Sequence, residues 1–191
     1  MNYPVPSGRA ILFLAVGVSV SSALIELSTG SSLGLFMDVE KLIEEGYERP
    51  DDELEDYFGE LYEEFGDDPR IVYEYANVLD YLGREREAIP LYREALKKGL
   101  SGKYRDMCLI QLASSLRLVG DLNESYEILS DLYGKTGEPS SLLFLSLTLI
   151  GLGRKDDALC MMLRHVLGGS EGFLEEYRRA LTQYINEICK N

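Results

Sequence analysis

The sequence predicts an all-α fold: a right-handed α-α superhelix of about three helical hairpins, with a half-unit in front and a capping helix at the C-terminus. Two observations carry this. Leu82-Gly83, Val119-Gly120 and Leu152-Gly153 each end a helix-like stretch, and the chain resumes at a small residue, Ala88, Ser125 or Ala158. The glycines are 37 and 33 residues apart. Self-similarity near a period of about 34 marks stacked hairpins, because one hairpin cannot bury its apolar face alone. The second observation is apolar spacing of three and four residues on either side of each glycine, the stripe of an amphipathic helix.

Composition divides the chain into residues 1–36, 37–68 and 69–191. The first 36 residues carry two charges, Arg9 and Glu26. Arg9, the apolar run from Ala10 to Val18 and the small residues through Ala23 have the order of a secretory signal. As a membrane span, Ala10 to Ile25 falls short of the roughly 20 residues that a bilayer core requires. A third reading starts the native protein at Met37, where the charged composition opens. The expected location is the cytoplasm, with export or anchoring through residues 9–27 as the alternative. Cys108, Cys160 and Cys189 are odd in number and lack metal or redox spacing, which leans the same way.

Residues 38–68 hold fifteen acidic residues against Lys41 and Arg49, whereas residues 69–191 hold seventeen acidic and sixteen basic, so the net charge of -14 is local. Leu54, Tyr57, Phe58, Leu61, Tyr62 and Phe65 form one stripe, which predicts an acidic helix. Pro50 lies at its first turn and Gly66 at its stop, and it should dock on the first hairpin as a half-unit.

Val72, Tyr75, Ala76, Leu79 and Leu82 make the stripe of the next helix, and Gly83 ends it by supplying a left-handed residue. Ala88, Leu91, Tyr92, Ala95 and Leu96 follow on its partner, with Ala76 and Ala88 letting the two backbones approach. Pro90 lies early enough in that helix to be tolerated. The second hairpin repeats the pattern with Leu109, Leu112, Ala113 and Leu116, then Ser125, Leu129 and Leu132. The third does so with Leu142, Leu145, Ser146 and Leu149, then Ala158, Met162 and His165. Leu174, Tyr177, Leu181, Tyr184, Ile185 and Ile188 stripe a final helix, Phe173 to Cys189, that would cap the stack.

The residues Tyr75-Ala76, Gly83, Ala88, Tyr92 and Ala95 resemble the motif of the tetratricopeptide-repeat (TPR) family. Asp67-Asp68-Pro69, Ala88-Ile89-Pro90-Leu91-Tyr92 and Ser114-Ser115-Leu116-Arg117 are similar to a small single-domain prokaryotic branch of it. The resemblance spans Asp67 to Cys189, although the family's usual early Trp is missing and the second unit carries extra residues around Gly99 to Lys103. It implies a non-catalytic adaptor that binds a protein or peptide.

Chemistry is sparse in the residues themselves. His165, the single histidine, falls on a packing stripe, and no metal set converges on it. Gly151-x-Gly153 lacks the flanking strand of a phosphate loop. No catalytic residue, cofactor or metal is expected, and the chain is read as not an enzyme. Nucleic acid is excluded as a partner because phosphate neutralisation needs clustered Lys and Arg.

Surface recognition remains. First helices of successive hairpins line the inner wall of such a stack. The groove residues would be Tyr73, Asn77, Asp80 and Tyr81, then Ile110, Gln111, Ser114, Arg117 and Leu118, then Leu143, Leu147 and Ile150. Family members that grip a terminal carboxylate use Lys, Asn and Arg on these helices. Asn77 matches, but Tyr73 and Phe144 stand where cations would be expected, so that clamp is not predicted. The stretch Ser141 to Leu152 is apolar on nearly every face, so its inner side needs a bound peptide, a second copy of the chain, or the segment Ala10 to Leu27 as cover. The alternatives to an adaptor are a homo-oligomerisation module, in which a homodimer closes the groove, and a regulator whose acidic helix 51–65 docks a basic partner. A membrane partner enters only if residues 10–27 are a retained anchor.

Overall fold

The computed structural model describes residues 38–169 and 177–189. Among them the chain forms α1 (Val39–Tyr47), α2 (Leu54–Phe65), α3 (Pro69–Tyr81), α4 (Glu85–Lys97), α5 (Gly102–Val119), α6 (Leu122–Thr136), α7 (Pro139–Gly151), α8 (Lys155–Gly169) and α9 (Arg178–Ile188). The readings of residues 1–36, and of Phe173 and Leu174 as part of the cap, lie outside the described residues.

Local signals set the hairpin boundaries. Asp68 caps α3, its Oδ1 accepting from the Arg70 N–H at 2.8 Å, with Pro69 as first residue where a missing donor costs nothing. Glu138 and Pro139 do the same for α7 through the Ser141 N–H at 3.0 Å. Gly120 ends α5 at φ 96, in the left-handed region. The Asp121 N–H then reaches back to the Leu116 carbonyl at 2.8 Å. Pro90 sits in the second turn of α4 on its exposed side.

Each helix packs on the next in the chain. The odd-numbered helices also pack on one another, α1 on α3, α3 on α5 and α5 on α7, while the even-numbered ones do not approach comparably. The stack therefore curls with the odd helices inside. Long polar side chains bridge the wider outer layer. The Arg93 guanidinium donates to both carboxylate oxygens of Glu124, at 2.7 and 2.8 Å, and the Tyr62 hydroxyl donates to Glu94 at 3.1 Å.

Three apolar clusters form the core, and the predicted stripes supply them. Val72, Ala76, Leu79, Ala88, Tyr92 and Ala95 fill the first TPR-like hairpin. Leu145, Leu149 and Ala158 join Ala113 and Leu129 at the rear. In front, Ile43 joins Leu54, Phe58 and Leu61 against Ile71 and Val78.

Three expectations are corrected. The acidic segment holds two helices, α1 and α2. α1 is short, and Gly46 lets it cross α2, since a Cβ there would come within 2.6 Å of the Phe58 ring. Pro50 belongs to the turn ahead of α2, which starts at Leu54, and Gly66 ends α2 at an ordinary φ of -62. The capping helix buries only Ile185, while Tyr177, Tyr184 and Ile188 are 61%, 57% and 61% exposed. The three cysteines are not all free thiols. Cys160 and Cys189 form a disulfide and Cys108 is a buried thiol, so the cysteine count carries no weight for a cytoplasmic location. No helix among the described residues is long and apolar enough to cross a membrane.

Candidate functional site

The inner wall divides into a closed front and an open rear. At the front, on α3, Tyr73 is 1% exposed and packs between the rings of Tyr92 and Tyr104, with centroids 6.2 and 6.3 Å away. Burial pushes its phenol up to about 12. Tyr73 is therefore a core residue and not a groove contact. The first helix of each hairpin packs against the helices on both sides of it, and Tyr104 at the start of α5 reaches this position.

Asn77 is also buried, at 7% exposure. Its amide donates to Glu74 Oε2 at 3.1 Å and accepts from the Tyr92 hydroxyl at 3.0 Å. Glu74 is 3% exposed and receives the Tyr47 hydroxyl of α1 and an ion pair from Arg70. The Arg70 guanidinium lies 3.7 Å from the centre of the Tyr104 ring and pairs with Glu40 at 3.5 Å. Buried charges of this kind persist only when paired. Asp80 accepts from the Ser115 hydroxyl at 2.7 Å and from Tyr92 at 3.4 Å. Burial raises its carboxyl to about 6 despite those donors. The half-buried Tyr81 turns toward the front turn, its hydroxyl donating to Asp51 at 3.1 Å. A polar chain thus runs from Glu40 through Arg70, Glu74, Asn77 and Tyr92 to Asp80 and Ser115, locking α1, α3, α4 and α5 together.

On α5, Ile110 and Gln111 are half-buried and Ser114 is buried at 9% exposure. Arg117 is half-buried, and its Nε is enclosed with no hydrogen-bond partner among the described residues. Desolvation alone pulls its guanidinium below the usual value, with no carboxylate holding it up. Leu118 beside it is 56% exposed. On α7, Leu143, Leu147 and Ile150 are 53%, 47% and 46% exposed, at spacings of four and three that put them on one stripe. Their neighbours Leu142, Leu145 and Leu149 are each 1% exposed and face the core.

Of the predicted groove residues, Leu118, Leu143, Leu147 and Ile150 are exposed, and Arg117 is half-buried. Tyr73, Asn77 and Ser114 are inside the protein. Arg70, Glu74 and Tyr47 were missed by sequence reasoning. The available signal was the Arg70–Glu74 spacing of four with Asn77 one turn further on, which places an ion pair and an amide on one helix face.

His165 is half-buried, and its Nδ1 lies 3.2 Å from the Tyr133 hydroxyl. Among the described residues no group of His, Cys, Asp and Glu could hold a metal ion.

No curated protein matches the sequence. The model of the tetratricopeptide repeat family matches residues 69–188, from the proline that opens α3 to the last residue of α9. With sequentially packed helical hairpins over the described residues of that span, the chain belongs to the tetratricopeptide-repeat family.

Proposed function

We propose that this protein is a non-catalytic adaptor that binds a protein segment on the rear of its inner wall, along α5 and α7. The single observation that supports this most is the exposed stripe of Leu143, Leu147 and Ile150, continued by Leu118. An exposed apolar stripe on one helix, with a further exposed Leu and a cation on the helix that packs against it, suits a recognition site. Repeat proteins of this family generally serve protein–protein interaction, which agrees with the reading. Arg117 defines the chemistry expected of the ligand. Its guanidinium has shed part of its water and its Nε has no partner among the described residues, so an incoming carboxylate meets a half-desolvated donor and can take two parallel hydrogen bonds. The fitting ligand is an apolar segment bearing one acidic residue.

The predicted front half of the groove has no part in this proposal, because Asn77 and Asp80 spend their polar atoms on the internal network. Tyr73 is replaced as the aromatic contact by aliphatic ones.

The test is selection of a displayed random-peptide library on the full chain. Enriched peptides should share one acidic residue flanked by aliphatic ones. Arg117→Ala should weaken a selected peptide by about 1.5–3 kcal/mol, the worth of a hydrogen bond to a charged group. Leu143→Gln with Leu147→Gln should abolish binding. Peptides that bind both variants as well as the unaltered protein would overturn the proposal. A dimer in solution that the double Gln variant dissociates would assign the stripe to self-association instead.

A further inference from the structure

The Cys160–Cys189 disulfide joins the second turn of α8 to the residue that ends α9, closing a sequence separation of 29. At the other end of the pair, Arg178 Nη1 donates to the Leu167 carbonyl at 2.9 Å. The two helices therefore run antiparallel, with the covalent tie at the C-terminal end of α9.

The apolar hold on α9 among the described residues is small. Ile185 is its one buried side chain, and Ala158 is the one buried residue of α8. By contrast, α3 buries eight residues. At 11 residues, α9 is also below the roughly 12–15 that an isolated helix needs to be even marginally stable in water. Its helicity must come from docking, and among the described residues that docking includes a single buried apolar side chain, the polar anchor at Arg178 and the disulfide. Both Cys160 and Cys189 are partly exposed, whereas Cys108 is fully buried. A soluble thiol can therefore reach the bridged pair without unfolding the stack.

We infer that the Cys160–Cys189 disulfide is a redox latch: oxidised, it holds α9 on α8 as the cap of the superhelix, and reduced, it releases α9 and uncovers the end of the stack. The chemistry is thiol–disulfide exchange with a dithiol reductant. One thiolate of the reductant attacks a bridge sulfur, forming a mixed disulfide and expelling the other cysteine as thiolate. The second thiol of the reductant then resolves the mixed disulfide. The protein's S–S bond takes up two electrons and two protons to become two thiols, and the reductant is oxidised to its own disulfide. Reoxidation reverses these steps. Terminal repeats need a covering outer face, so the redox state decides whether the last hairpin presents one. The inference stands independently of ligand binding on the inner wall.

The test is hydrogen exchange, read by mass spectrometry, on the full chain before and after treatment with dithiothreitol. The intact mass should rise by two hydrogens on reduction. Amides of residues 178–189 should then exchange faster by roughly several hundredfold, the weight that closing a loop of this length places on the tethered state. Amides of α3 to α7 should be unchanged. Cys189→Ser under oxidising conditions should exchange like the reduced protein and ignore the reductant. The latch is overturned if the oxidised protein gains no hydrogens, if α9 exchanges equally in both states, or if reduction loosens α3 to α7 along with it.

Discussion

Ser115 Oγ donates to Asp80 Oδ1 at 2.7 Å, tying α5 to α3 across 35 residues of sequence. Tyr92 of α4 reaches the other oxygen of the same carboxylate, so one half-buried acid joins three helices. Burial disfavours its charge by more than the two donors favour it, which is why its carboxyl rises from 3.8 to about 6.

The sign of the resulting pH dependence follows. The folded protein holds this proton more tightly than the unfolded chain does. Stability from Asp80 is therefore complete below 3.8 and is lost as pH rises through about 6. Asp80→Asn keeps an acceptor for Ser115 and removes the charge. Urea denaturation should find the variant more stable by about 1–2 kcal/mol near pH 7.5, with the difference shrinking toward about pH 4. Parallel pH profiles for the two proteins would show that Asp80 is not the group responsible.

Tyr92→Phe removes the hydroxyl that donates to Asn77 at 3.0 Å while leaving the ring's packing intact. The Asn77 oxygen is then buried without that donor, a loss of about 1–3 kcal/mol. Chemical denaturation should show a lower midpoint with an unchanged slope.

Gly120 and Gly134 should respond oppositely to the same substitution. Gly120 sits at φ 96, so Gly120→Ala forces a left-handed Ala and should cost about 1 kcal/mol or more. Gly134 is exposed within α6, and a Cβ added there would meet nothing within 4 Å, so Gly134→Ala should stabilise by about 0.5–1 kcal/mol. Melting temperatures of the two variants decide it.

The two faces of α7 should separate in the same way. Leu143→Gln and Leu147→Gln touch exposed positions and should change stability by no more than about 0.5 kcal/mol. Leu145→Ala and Leu149→Ala, each at 1% exposure, should cost about 2–5 kcal/mol. A large penalty at Leu143 or Leu147 would mean that the stripe is packed.

Helix stripes and stops are local, so the chain writes them directly. The Gly83, Gly120 and Gly153 stops and the small residues Ala76 and Ala88, which share one core cluster, were legible for that reason, and with them the repeat. α1 went unread although Val39, Leu42, Ile43 and Tyr47 carry the same spacing of three and four over its nine residues. Of the residues read as a groove, Leu118, Leu143, Leu147 and Ile150 are the ones that the structure leaves exposed. Tyr73 and Asn77 share the helix face that should line it. Whether such a face meets solvent depends on what the neighbouring helices bring, and Tyr104, Tyr92 and Tyr47 arrive from three other elements.

The sequence by itself determined the all-α class, the repeat and its period, because each rests on contacts between residues a few positions apart. Tertiary structure alone decided which inner-wall residues are surface, which acids are buried and paired, and that Cys160 meets Cys189. Those depend on side chains brought together across 27 to 35 residues of chain, and no local pattern encodes such a meeting.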